Sequence, residues 1–236
     1  TVPYGIEVVY RWEKNAGSTG TFIYPPKLEN VRRVLEAVRT MGLETYRLKE
    51  TGGEKLLPGR LPVRLYLYGG GNPDTHGLDN PQLTAKEMCV YHVDDFNPAD
   101  NDKVFVLMRS VHHQLARCLM LHIAYDRDRF SMISGQRYTG STEPLAAPLS
   151  YARTGKERFG LESYANKRGL YTMLGFLSPE DDFAEIISAT LTSTPKELYD
   201  AAVSARTPDT DIDPEVNARY AEEAKQAYKE FTAKQS

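Results

Sequence analysis

The order of segments along the chain predicts an α+β fold, in which a strand, a helix, two further strands and a long buried helix are followed by a mainly helical C-terminal half. Three observations carry this. Near-alternation of apolar and polar residues marks the short strands, apolar steps of three and four mark the helices, and 236 residues are enough for one large core without staples. The domain reading is one domain over 1–236, with the sheet and long helix in 1–126 and a mainly helical subdomain in 127–236.

The elements follow in order. "GIEVVYRWE" (Gly5 to Glu13) carries β-branched and aromatic residues in near-alternation, then breaks at the loop "KNAGSTGT". "YPPKLENVRRVLEAVRTMG" has Pro25 and Pro26 near its start, Leu28, Val31, Val34, Leu35 and Val38 at helical steps, and Gly42 as a stop. "LPVRLYLYGG" alternates Val63, Leu65 and Leu67 with Arg64, Tyr66 and Tyr68. It is followed by a long loop, "GGGNPDTHGLDNP", in which the glycines read as a turn because the Lys-Ser/Thr of a phosphate loop is missing. "KEMCVYHVDDF" is a third strand, and Asp100, Asn101 and Asp102 are able to cap the next helix. That helix, Lys103 to Asp126, places Val104, Met108, Val111, Leu115, Cys118 and Leu119 on one apolar stripe. On this reading His113, Arg117 and Met120 share the opposite side, His122 lies over the stripe, and His112 points sideways. The rest is helix and loop, closing in a charged segment from Asp213 whose Ala, Tyr and Phe fall at helical steps, as in a surface helix laid against the body.

Composition narrows the function classes. With 29 Lys+Arg against 32 Asp+Glu the formal charge is −3, so binding of nucleic acid by bulk charge is not expected. No apolar run approaches the roughly 20 residues of a membrane-spanning helix. Cys89 and Cys118 match no CxxC metal spacing and read as buried thiols. The chain opens "TVPYG" without an initiator Met, which suits removal of a targeting segment. Fifteen Tyr against one Trp suit core-edge packing, or a platform for a glycan or peptide.

The long helix is where chemistry is expected. A zinc hydrolase of HExxH type needs two His one turn apart on a single metal, with the intervening Glu deprotonating the bound water. Here the five residues are His113-Gln114-Leu115-Ala116-Arg117, which keep the first ligand and lose the base and the second ligand.

The opening "YGIEVVYRWE", the run "VLMRSVHHQLARCL", the later "FSMISGQRYTGS" and "SPEDDFAEIIS" resemble, in order and over most of the chain, a family of Bacteroidetes surface lipoproteins. These are the substrate import-associated zinc metallohydrolases, or zinc-binding metallopeptidases, found beside SusC/SusD-like outer-membrane importers. The resemblance implies a zincin-like metalloprotease fold, with a small mixed sheet and a long "active-site" helix. It also implies a lipid anchor in the precursor and a place at the outer membrane or cell surface. Members read "HHEFAHILHQ" where this chain reads "HHQLARCLML", so the HExxH motif is degenerate. The catalytic Glu falls at Gln114, the second His at Arg117 and a further His at Met120. Only His113 survives among the helix ligands, and the downstream acids carry over as Asp181 and Glu185. "PEDDFAE" also opens a helix, where acids in the first turn are explained by capping alone.

Magnitudes favour loss of the metal. Gln114 cannot take a proton, which removes the roughly 10²–10⁴-fold that a general base contributes. A permanently cationic Arg117 about 5 Å from a divalent ion repels it by roughly 6–7 kcal/mol at an effective dielectric near 20. That is about half of a structural-zinc binding energy of roughly 10–16 kcal/mol. The expectation is therefore a catalytically inactive metallopeptidase-like lipoprotein with no cofactor. Its cleft of His113, Gln114, Arg117, Met120, Asp181 and Glu185 would bind a peptide, a glycan or an importer component, with Arg117 pairing to Asp181 or Glu185. The alternative is an active zinc peptidase with rearranged ligands, in which His113 converges with two of His112, His76, His92, Asp181 or Glu185. A third reading is a scaffolding lipoprotein whose cleft is filled by side chains.

Overall fold

A computed structural model of the chain describes residues 4–12, 24–48, 53–71, 86–140 and 163–235. The loop at 14–21, the part of the glycine loop holding His76, and Ser141 lie outside the described residues. The chain forms two compact units, Thr1–Ala124 and Tyr125–Ser236.

The first unit is built on three short strands, β1 (Glu7–Val9), β2 (Arg64–Leu67) and β3 (Glu87–Val90), in the order β1-β2-β3. Both pairings are parallel, with Val8 opposite Leu65 and Leu65 opposite Met88. The expected mixed sheet is thus corrected: the described strands form a parallel one. The reason lies in the connections, since helix α1 (Leu28–Ala37) crosses from β1 to β2, and parallel neighbours need long crossovers where antiparallel ones take tight turns. The strand read over 86–96 stops at Val90, because His92 adopts a left-handed backbone (φ 56°) and Val93–Asp95 coil into a 3₁₀ turn. Asp94 in that turn accepts the Lys27 backbone N–H (2.8 Å) and Asn30 Nδ2 (3.0 Å), securing the start of α1 just after the two prolines. The glycines that open the following loop have a packing role: a Cβ on Gly69 would sit 2.2 Å from the Tyr24 ring.

Helix α1 runs into a wider π-type turn over Val38–Leu43. Gly42, read from sequence as a stop, is where helix α2 approaches closely, since a Cβ there would meet Val111 Cγ1 at 2.8 Å. Helix α2 spans Asn101–Leu119, with Asp100 as N-cap accepting from the N–H groups of Asp102 and Lys103. Its Met108, Val111 and Leu115 enter a core with Val34, Leu65, Leu67, Met88 and Val90. The helix is seven residues shorter than expected at its C-terminal end. Met120 is its cap, and the N–H groups of Leu121 and His122 close tight turns onto Cys118 and Leu119. His122, expected over the apolar stripe, is therefore exposed; helical periodicity placed it only if the helix continued.

The second unit contains α3 (Arg127–Ile133), α4 (Ser163–Asn166), α5 (Pro179–Thr192), α6 (Pro195–Ala205) and α7 (Pro214–Ala233). Ser178 caps α5, and Thr194 with Glu197 forms a reciprocal capping box on α6. Tyr171, Ala189, Ala201, Ala205 and Phe231 form its apolar core. Helix α7 buries Ala224, Ala227 and Phe231 on one side, which bears out the reading of a surface helix laid against the body. No described helix is long and apolar enough to cross a membrane.

Candidate functional site

The motif residues sit on the last two turns of α2, in the first unit. His113 and Gln114 are buried, at 3% and 5% exposure, while Arg117 is partly exposed one turn later and Met120 caps the helix end.

The geometry of Gln114 decides what this stretch can do. Lys86 and Val90 turn their carbonyls toward β2, accepting from the N–H groups of Val63 and Tyr68. By the two-residue alternation of a strand, Cys89 between them turns its N–H and C=O to the open edge of the sheet. Gln114 takes both: its Oε1 accepts the Cys89 N–H at 2.6 Å and its Nε2 donates to the Cys89 carbonyl at 2.7 Å. Nε2 also donates to the carbonyl and hydroxyl of Ser110, at 3.2 and 3.1 Å. The amide supplies donor and acceptor together at this spot, whereas an ionised carboxylate only accepts. The residue that replaces the base therefore pairs with an edge strand as another strand would.

The other histidines are accounted for singly. His112 is buried, with Nδ1 3.1 Å from the Tyr46 hydroxyl. Burial, helped by the charge of Arg109, pushes its pKa down to about 4, so it is a neutral packing histidine near pH 7. His92 is exposed, its Nδ1 3.4 Å from Asp95 Oδ2. Cys89 and Cys118 are free, buried thiols, pushed up to about 12 and about 11 by burial.

Asp181 and Glu185 lie on α5 of the second unit, both buried. Asp181 is bound into the helix start: its Oδ2 accepts the Ser178 hydroxyl at 2.6 Å, and its own N–H donates to Ser178 Oγ at 3.1 Å. Glu180 pairs with Arg127. Between the two expected acids stands one the sequence did not single out. Asp182 is fully buried, and its Oδ2 accepts from Lys234 Nζ (2.8 Å) and the Tyr138 hydroxyl (2.9 Å). Burial pushes the Asp182 carboxyl up and the Lys234 ammonium down, against an attraction that acts the other way. No local signal marks this pair, whose members are 52 positions apart.

As a zinc site the motif helix does not fit. At the motif's spacing only His113 offers a ligand atom, the Gln114 amide is engaged at both its atoms, and Arg117 carries a fixed positive charge. Among the described residues no three His, Cys, Asp or Glu side chains gather as a metal would require.

The fold has a solved counterpart. The crystal structure of "a putative zinc-binding metallo-peptidase" from Bacteroides caccae ATCC 43185 matches 99% of this chain and 85% of its own, with a TM-score of 0.59 and 17% identity. No curated protein matches the chain. Residues 1–236 match the family described as "Putative zinc-binding metallo-peptidase", and the chain belongs to that family.

Proposed function

We propose that this chain is a catalytically inactive relative of the metallopeptidases, keeping a zincin-like frame whose base and second ligand have been replaced. In this reading it is a lipid-anchored protein of the outer membrane or cell surface, accessory to a SusC/SusD-type importer. It would bind a peptide, a glycan or a component of the importer. The observation that carries the loss of catalysis is the pair of hydrogen bonds from Gln114 to the backbone of Cys89. A side chain held this way neither abstracts a proton nor swings free to position water, and the base it replaces is worth roughly 10²–10⁴ in rate. Family membership and the Bacteroides counterpart support the metallopeptidase frame, and the setting at an importer rests on the resemblance of the motif segments alone.

Two measurements on one preparation test the reading. Protein purified without chelator is analysed for metal by mass spectrometry and incubated with a mixed peptide library, with and without EDTA. Zinc well below one per chain and no EDTA-sensitive cleavage are expected. One zinc per chain together with EDTA-sensitive cleavage would instead establish an active enzyme with rearranged ligands.

A further inference from the structure

The second unit holds a cavity of about 750 Å³, lined by the turn after α3, the loop after α4, the end of α6 and one side of α7. Pockets for small molecules usually measure about 300–1,000 Å³. We propose that this cavity is a binding site for a small carboxylate-bearing molecule rich in hydroxyl or amide groups. The reading of the motif helix plays no part in the proposal.

Two guanidinium groups are fixed in the lining. Arg137 donates from Nε to Glu230, a buried acid that also accepts Gln226 Nε2 at 2.8 Å and the Ser134 hydroxyl at 3.4 Å. This anchors Arg137 by one nitrogen and leaves its Nη pair, which bonds no described residue, to grip a carboxylate end-on. Arg168 lies flat on Tyr164, with its guanidinium carbon 3.6 Å from the ring centroid, and its Nη1 donates to the Tyr164 carbonyl at 3.0 Å. Both cations are therefore positioned before a ligand arrives, which lowers the cost of ordering them on binding.

Charge balance sets the ligand class. Arg137, Lys167 and Arg168 face Asp209, Glu223 and Glu230 in the same lining, and Lys167 is already paired with Asp209. Among the described residues the lining carries no net formal charge, which makes it a poor host for a polyphosphate or a nucleic acid. It suits one carboxylate at the two arginines, with neutral polar groups reaching Gln226, Tyr220 and Thr207. A sugar acid and the C-terminus of a short peptide both have this chemistry.

Isothermal titration of the full chain with galacturonic acid and with N-acetyltriglycine tests the proposal and separates the two sources. Galactose and N-acetyltriglycine amide serve as uncharged counterparts. Saturable binding of at least one acid is expected, with its uncharged counterpart at least about tenfold weaker. Arg168→Gln and Arg137→Lys should each weaken it about ten- to a hundredfold, the range carried by one hydrogen bond to a charged group. The lysine variant keeps a partner for Glu230 and loses only the fork, so it guards against misfolding as the cause. The proposal is overturned if neither acid binds saturably, if the uncharged counterpart binds equally well, or if neither variant changes the affinity. None of these results bears on the zinc and cleavage tests above.

Discussion

Gln114 differs from glutamate by one group, NH₂ for O, and that group is what holds the Cys89 carbonyl. Replacing it, Gln114→Glu, would keep the contact with the Cys89 N–H but set a carboxylate against a buried carbonyl with no donor between them. A buried acceptor left unpaired costs about 1–3 kcal/mol, and more when a charge is buried with it. The variant should therefore lose at least about 2 kcal/mol of stability, read as a lower urea midpoint with unchanged slope. An unchanged midpoint would mean that the amide has no structural hold on β3. The replacement itself was legible, since "HQLAR" shows a Gln where a base is needed. Its partner was not, because which edge Cys89 faces depends on the register of β3 on β2, whose paired residues are 23 positions apart. Asp182 was illegible for the same reason: nothing in its neighbours singles it out, and only the approach of Lys234 makes it a buried ion pair.

The legible features of the elements were those that neighbouring residues determine. Asp100 before α2 and the acids of "PEDDFAE" at α5 are local signals, and each marks the start seen in the structure. The features missed are tertiary. Helix α2 ends at Leu119 although apolar residues continue beyond it, α1 widens where Gly42 admits Val111, and the strands pair in parallel. The C-cap of α7 carries the consequence most open to test. Lys234, its side chain 2% exposed, fastens the end of that helix to Asp182 on α5. Lys234→Met leaves a buried carboxylate without its cation and should cost about 3–5 kcal/mol. The double variant Asp182→Asn with Lys234→Met should recover part of that loss, because the stranded charge is gone. Equal unfolding midpoints for single and double variants would show that the ion pair is not what fastens α7.

For the molecule as a whole, acids kept protonated by burial set a limit at alkaline pH. Cys89 and Cys118 are pushed up from about 9 to about 12 and about 11, and Tyr46, Tyr68 and Tyr138 are also raised, burial being the leading cause in every case. A raised pKa means that the native state keeps a proton the unfolded chain gives up. The stability from these groups is complete below about pH 9 and is lost as pH climbs through the native values. For Cys89 alone the loss is on the order of 4 kcal/mol by pH 12, since holding a proton against a tenfold fall in its concentration takes about 1.4 kcal/mol. Lys234, held down by burial, acts in the opposite sense, but it is one group against five. Four of the five acids belong to Thr1–Ala124, so that unit should give way first on the alkaline side. Urea midpoints followed by Trp12 fluorescence, a reporter in that unit whose indole N–H donates to the Leu67 carbonyl, should hold steady from pH 7 to 9 and fall steeply by pH 11. Cys89→Ala should flatten part of the fall, whereas a midpoint constant to pH 11 would mean that burial does not hold these protons in place.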